Sequence, residues 1–437
     1  MKNIRLYMIG SVVIFIFAAL AWILLGSYVE LGKPQIKLSE DVKAIGRQKT
    51  VDIHFSDSLS GLAYLRAEII QDNKSQILLD QKIPLKKQEQ QTFSMTLNPY
   101  DLRLHDGDAT LKISASDHSL FGNQNSLILP IKIDTLPPQL SLLSRINYIN
   151  QGGTGYVAYQ PSKPITQTGV FINSQFFAGH RLPNGNPPTY AVYFPVPMDA
   201  DNIQTNISLF ARDEAGNETR TALPFIVKKK IFRQDKMNIS EKFLQQKMPE
   251  FQALFPELRQ KPLPDVFVHV NSQMRNDNFA TIQKICEKSS SQEFWEGPFL
   301  RMTNAAPMAL FGDKRSYVYN GKIISDSVHA GVDLASTAMA PIEAANKGVV
   351  VFTGALGIYG NTVIIDHGLG VFSLYGHLSS IATSVGKTVA KGEKIGHSGM
   401  SGLAGGDHLH FSMIVGGQFV NPQEWWDPHW LKDNLNK

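Results

Sequence analysis

Near its C-terminal end the chain reads GGDHLHFSMIV, from Gly405 to Val415. Two histidines stand two positions apart, with apolar residues between and beyond them. Side chains at i and i+2 of a strand share a face. His408 and His410 therefore point one way, while Leu409, Phe411 and Met413 fill the other face. The run VFSLYGHL, from Val371 to Leu378, sorts likewise. Ser373, Tyr375 and His377 are expected on one face, with Phe372, Leu374 and Leu378 mainly on the other. Two such strands make a sheet with a polar groove and an apolar back.

The neighbouring sequence extends that sheet. From Arg315 onward, GVVVFTGA, NTVIIDH and EKIGHSG are short β-type runs with glycine-rich turns, and no stretch sustains a helical period. Six of the 12 histidines (His329, His367, His377, His397, His408 and His410) fall in this part, a density that points to a metal site. The first of them opens the segment His329-Ala330-Gly331-Val332-Asp333. The single cysteine, Cys286, excludes an intramolecular disulfide and a cysteine-based zinc site. Rival signatures are missing. There is no His-Glu-x-x-His, and VGKT is not a phosphate loop, because Ile381 stands where its first glycine belongs.

Taken together, HAGVDLAS, IIDHGLGVFSLYGHLSS and GDHLHFSM resemble the lysostaphin-like (LytM-type) zinc metallopeptidases, from about Arg315 to Trp426. That family's pattern is His-x-x-x-Asp, a distant His, then His-x-His followed by an aromatic residue. VGKTVAKGEKIGHSG also matches its hairpin. The resemblance implies that His329, Asp333 and His410 ligate zinc. Three protein ligands leave a fourth position open, as in catalytic sites. It also implies that His377 and His408 are catalytic, as base and stabiliser. Their ordinary pKa of about 6.5, lowered by a nearby metal charge, keeps them largely neutral at pH 7. His367 reads as structural, and His397 as exposed or lining the groove. Arg315 and Tyr319 lie where the family often places groove-lining or oxyanion-stabilising side chains, with ordinary packing as the competing role. GMSGLAGG reads as a flexible loop at the groove's edge.

The activity implied is hydrolysis of peptide bonds in peptidoglycan stems or cross-links. Some relatives are catalytically idle adaptors that activate another hydrolase and typically lack zinc ligands; here all three ligands and both catalytic histidines are present.

The rest of the chain reads as support. At 437 residues, 43% apolar and 18% charged, it can hold roughly three domains with real cores. A net charge of +4 does not point to nucleic acid. From Leu6 to Val29 there is no charged residue, with Lys2 and Arg5 before the run and Glu30 after it. In a helix that run spans a hydrocarbon core of about 30 Å. The positive flank predicts a single-pass inner-membrane anchor with the bulk of the chain in the periplasm. A cleaved signal peptide is the alternative, because Ala19-Leu20-Ala21 resembles a cleavage site.

Two copies of one pattern follow. Ala115-x-Asp117 leads to Gly122-Asn123 and Leu129-Pro130; Ala211-x-Asp213 leads to Gly216-Asn217 and Leu223-Pro224. The second of these segments, ARDEAGNETRTALPFIV, resembles the last hairpin of bacterial immunoglobulin-like modules. The stretch after Lys230 carries helical signals, with Ser240 as a cap, a stop before Pro249 and a second helix over Asn278 to Lys288. Its aromatic residues need a surface to cover them, and the peptidase sheet is the nearest. The expected fold is therefore mainly β: an anchor (1–33), two Ig-like β-sandwich modules (34–134 and 135–230), a helical connector (231–312) and an antiparallel β-sheet peptidase (313–430).

Overall fold

Alternating apolar runs dominate the sequence, and the computed structural model pairs them into mainly antiparallel sheets. It describes residues 10–20, 29–84, 88–144, 148–183 and 185–435. Two compact units result. One comprises Met1–Pro138, Lys163–Thr166 and Arg212–Glu218; the other comprises Gln139–Ser162, Gln167–Ala211 and Thr219–Lys437. Much of the expected membrane helix lies outside the described residues. Residues 10–20 are helical, and no helix among the described residues is long and apolar enough to cross a membrane.

In the first unit a three-stranded and a five-stranded sheet enclose one core. Strand Lys49–Ser56 alternates strictly, so Val51, Ile53 and Phe55 face inward. Leu65 and Ile69 of strand Leu62–Gln71 meet them there. In the second unit, the segment before the helices forms two four-stranded sheets about a separate core that includes Val157, Val170, Phe194 and Leu209.

The C-terminal part is built on an eight-stranded sheet. Its strands run in the order Ala306–Ala309, Val332–Ala335, Leu409–Val415, Val371–Leu378, Asn361–Gly368, Gly348–Ala355 and Thr388–Val389, with Gln418–Val420 paired to Leu409–Val415. Both faces are covered. Leu409, Phe411, Met413 and Tyr375 pack with Trp295, Phe299 and Trp425 on one side. Phe372, Leu374 and Ile414 pack on the other with Leu244, Phe251, Phe267 and Ile282.

The segment 231–312 is therefore more than a helical connector. Strand Gln234–Asn238 pairs in parallel with Lys314–Tyr319, and Ala306–Ala309 joins the main sheet. Ser240 does cap the first helix, its side chain accepting from the Phe243 N–H, but the helix runs from Glu241 to Leu254 through Pro249. A proline inside a helix forfeits one hydrogen bond and costs about 3 kcal/mol. Burial of Leu244, Met248 and Phe251 against the sheet offsets that loss. The next helical stretch begins earlier than its sequence signals suggest: Leu263–His269 continues through a π-turn into Arg275–Ile285. Short helices also appear at Pro422–Trp426 and Pro428–Leu435, too brief to show a helical period.

The helix Pro422–Trp426, capped by Asn421, fastens the C-terminal part to the preceding β segment of the same unit. The Glu424 carboxylate accepts from Asn150 Nδ2 at 2.7 Å and from the Thr154 N–H at 2.8 Å. Gly153 permits this approach, since a Cβ there would lie 2.3 Å from Glu424 Oε1. Burial outweighs these hydrogen bonds and raises the Glu424 pKa to about 7. A raised carboxyl favours the folded state when protonated, so its contribution is complete below the ordinary pKa and is lost as pH climbs through about 7. Denaturant titrations at pH 5 and pH 8 should show the wild type losing on the order of 3 kcal/mol more than Glu424→Gln. Equal losses in the two proteins would contradict the burial argument.

Candidate active site

Strand register creates the centre of the site. Asp333 lies directly opposite His410 across the antiparallel pair Val332–Ala335 and Leu409–Val415. On the other side of that strand, Gly376 faces His410. Residues paired in this way share a face. His329 precedes the first strand, and its Nε2 comes within 3.0 Å of Asp333 Oδ1 and 3.1 Å of His410 Nδ1. Asp333 Oδ1 and His410 Nδ1 are 2.9 Å apart. The three donors thus form a near-equilateral triangle.

The rest of each side chain is committed elsewhere. His329 Nδ1–H donates to the Leu310 carbonyl at 3.0 Å, which leaves Nε2 with its lone pair. His410 Nε2 meets Ser412 Oγ at 2.9 Å, which directs Nδ1 into the triangle. Arg315 Nη2 lies 3.3 Å from Asp333 Oδ2. Such outer partners fix tautomer and orientation in metal sites. Tetrahedral zinc, with bonds of about 2.0–2.1 Å to nitrogen and oxygen, holds its donors about 3.3 Å apart. The observed triangle needs to open by only a few tenths of an ångström, so the donor set fits zinc.

Burial and charge act together here. Burial alone would raise the Asp333 pKa, but the surrounding imidazoles of His329, His408 and His410 outweigh it and hold the carboxyl well below its usual range. His410, fully enclosed, is lowered to about 4 chiefly by burial.

His377 and His408 stand together beside the triangle, with ring centres 4.7 Å apart. His377 Nδ1–H donates to the Ser401 carbonyl, and His408 Nδ1–H to the Gly406 carbonyl, both at 2.8 Å. Both Nε2 atoms are thereby left for chemistry. His408 Nε2 is 3.6 Å from Asp333 Oδ1. The two rings differ in their proton affinity. Burial, then the neighbouring His408 and His410, push His377 well down. Burial also pulls on His408, but Asp333 outweighs it and the pKa is raised. The expectation that both rings are lowered thus meets an opposing force in the Asp333 carboxylate.

One expected face does not hold. Ser373 and Tyr375 pair with Met413 and Phe411, on the side of the sheet away from His410. There Tyr375 Oη accepts from the Ala345 N–H, and Ser373 Oγ contacts His367 Nε2 at 2.7 Å. His377 reaches the groove only because its backbone turns left-handed, with φ of 61°. That conformation is uncommon outside glycine and breaks the two-residue alternation.

The remaining candidates have clear places. His367 is buried, bonded to Lys347 O and Ser373 Oγ, and lowered to about 4 by burial. His397 Nδ1 meets Ser380 Oγ at 2.9 Å. Tyr319 donates to Glu241 Oε2 at 2.9 Å, while Arg315 belongs to the centre itself. The GMSGLAGG loop is pinned rather than loose. Met400 O accepts from Lys247 Nζ at 2.6 Å, and Ser401 Oγ bonds Asn361 N and Leu378 O. The donor triangle, His377, His408 and Arg315 line a cavity of about 550 Å³, with Phe243, Phe267 and Arg275 of the helical segment in its wall.

Residues 327–422 match the model of Peptidase family M23, and this part of the chain is an M23 domain. Members of that family are zinc metallopeptidases. The chain is 43% identical over 95 residues to the DD-carboxypeptidase/endopeptidase Mpg of Neisseria meningitidis, covering 22% of each protein. It is 41% identical over 93 residues to the peptidoglycan DD-endopeptidase ShyA of Vibrio cholerae, covering 21% of this chain and 22% of that protein. It is also 40% identical over 84 residues to the murein hydrolase activator EnvC of Escherichia coli, covering 19% of this chain and 20% of EnvC. The similarity thus spans only about a fifth of the length of these relatives.

Ser412 is the supporting residue that a motif reading passes over, although its position two after His410 puts it on the same face. Ser412→Ala should keep the fold and weaken zinc binding by about 10–100-fold, the usual scale for a lost outer partner. Competition against a zinc-chelating dye would measure this, and an unchanged affinity would contradict the role given to Ser412.

Proposed function

We propose that this chain is a zinc-dependent peptidoglycan DD-endopeptidase that opens the cross-links between D-alanine and diaminopimelate. The observation that carries the reading is the convergence of His329 Nε2, Asp333 Oδ1 and His410 Nδ1 beside two histidines whose Nδ1 atoms are anchored on backbone carbonyls. The names of Mpg and ShyA support the choice of bond.

His329, Asp333 and His410 are the zinc ligands in this reading. A bound zinc would supply an acidified water and a Lewis acid for the scissile carbonyl. The remaining work falls to the protein. His377, held neutral by burial, accepts at Nε2 the proton of the attacking water. His408, aimed by the Gly406 carbonyl beside the donor triangle, delivers a proton from Nε2 to the departing amine. The Ser401 and Gly406 carbonyls keep both rings aimed. The walls contributed by Phe243 and Phe267 limit water in the groove.

The rest of the chain serves placement. Leu6–Val29 anchors it in the inner membrane, supported by the charge-free run and its positive N-terminal flank. The two β segments act as immunoglobulin-like spacers in the periplasm, supported by the internal repeat. The EnvC likeness raises an adaptor role instead. An adaptor has no need of two aimed histidines next to an intact donor triangle.

Incubating the full chain with purified diaminopimelate-type peptidoglycan, followed by mass spectrometry of the muropeptides, tests the reading. Cross-linked dimers should become monomers with a new D-alanine carboxyl group. Unchanged dimers, or cleavage only of glycine bridges, would contradict it. His377→Ala and His408→Ala should each retain one zinc and lose at least about 10²-fold in rate. The wild-type rate should fall at acid pH as His377 gains a proton, and at alkaline pH as His408 loses one. A profile that stays flat above neutrality would remove the donor role from His408.

A further inference from the structure

Far from the histidines, the first unit buries three carboxylates together. Glu30, Asp57 and Asp117 are only 5%, 5% and 4% exposed, and an oxygen from each lies within 4.8 Å of the others. Their contacts are with neutral donors. Glu30 Oε2 accepts from the Ser60 N–H at 2.9 Å. Asp57 Oδ2 accepts from the Gly61 N–H at 2.6 Å and from Ser60 Oγ at 3.3 Å. Asp117 Oδ1 accepts from the N–H groups of Ser119 and Asn123 and from Ser119 Oγ, and Oδ2 accepts from Asn123 Nδ2. Among the described residues no lysine, arginine or histidine pairs with any of the three, and Glu30 Oε1 and Asp57 Oδ1 accept no hydrogen bond. Uncompensated buried charge of this kind is strongly unfavourable.

The internal repeat shows what such a place holds. In the first copy, Asn123 Nδ2 donates to Glu30 O at 2.9 Å and to Asp117 Oδ2 at 3.0 Å. In the second, Asn217 Nδ2 donates to Asp134 O at 2.6 Å and to Asp213 Oδ2 at 3.0 Å. Glu30, Asp117 and Asn123 are thus the counterparts of Asp134, Asp213 and Asn217. In the second copy a cation occupies the space between the two acids. Lys163 Nζ lies 2.7 Å from Asp134 Oδ1, 2.7 Å from Asp213 Oδ2 and 2.6 Å from Leu136 O. The loop that supplies Lys163 follows strand Thr154–Pro161; the matching loop, after Lys49–Ser56, supplies Asp57. One copy carries its own ammonium ion, while the other replaces it with a third carboxylate.

We propose that Glu30, Asp57 and Asp117 bind a calcium ion, which takes the place that Lys163 fills in the second copy. The donors are all oxygens and three are carboxylates, which suits a hard divalent cation rather than zinc. Calcium tolerates the irregular geometry of loop ligands, whereas magnesium demands a near-ideal octahedron. The ion would join Glu30 to two loops of the first module, as Lys163 joins 134–136 to its own. Because Glu30 immediately follows Leu6–Val29, calcium would stiffen the exit from the anchor. That consequence rests on the anchor reading; binding does not.

Calorimetric titration of the full, zinc-loaded chain with calcium chloride tests the site. One calcium should bind per chain, with Kd of about 10⁻⁴–10⁻³ M, the range of extracellular modules. Asp57→Asn should weaken binding at least about 10-fold, the loss of one charged ligand among three. Asp57→Lys should bind no calcium, and its thermal transition in the absence of calcium should match that of the calcium-loaded wild type. No heat from the wild type up to about 10 mM, well above that range, would overturn the proposal. So would equal affinity for magnesium, or an Asp57→Lys protein that still binds calcium.

Discussion

Asp333 faces His410 across one antiparallel strand pair, and the arrangement of the whole site depends on that register. A slip of one residue would turn His410 into the core and bring Leu409 or Phe411 to the groove. What prevents the slip is the packing behind it. Leu409, Phe411 and Met413 are almost completely buried beside Trp295, Phe299 and Trp425. Each such side chain contributes about 1.5–3 kcal/mol when fully buried, and a slipped register would expose all three together. The apolar face of the strand thus holds the polar face in place. A single carboxylate oxygen, Asp333 Oδ1, then lies within 3.0 Å of two imidazoles and 3.6 Å of a third.

The parts that complete the site come from outside the segment that matches the family model. Leu310 orients His329, and Arg315 orients Asp333, yet both precede residue 327. The helices over 241–285 cover the sheet on the side that bears the histidines, and Phe243 and Phe267 of those helices stand in the cavity wall. The M23 segment therefore supplies the donors and the Ser412 partner of His410, while the preceding eighty or so residues supply the partners of His329 and Asp333 and much of the surrounding surface. The same segment also reaches the opposite face, through Trp295 and Phe299. It wraps the sheet from both sides.

Strand periodicity makes the polar face of His410 and the apolar face of Leu409, Phe411 and Met413 legible in the sequence. The two-residue rule failed at His377, because a left-handed φ of 61° at that one residue reverses its side chain. Placing Ser373 and Tyr375 in the groove was the direct consequence, and both belong to the core. Helix ends depart from their sequence signals for a related reason. Pro249 ordinarily stops a helix, but contacts distant in sequence with the sheet outweigh that local preference. The cluster of Glu30, Asp57 and Asp117 was hidden because its members come from separate loops, while the repeat that explains it was visible as Asp117…Asn123 and Asp213…Asn217.

On the proposed reading, the centre needs one zinc for activity. The most direct test is to strip the full chain with a chelator and restore zinc stepwise, while following hydrolysis of a purified cross-linked muropeptide dimer. Product formation should start from nothing, rise linearly and level off at one zinc per chain. Hydrolysis by the stripped protein, or a rate that zinc cannot restore, would contradict the assignment of His329, Asp333 and His410 as a catalytic metal site.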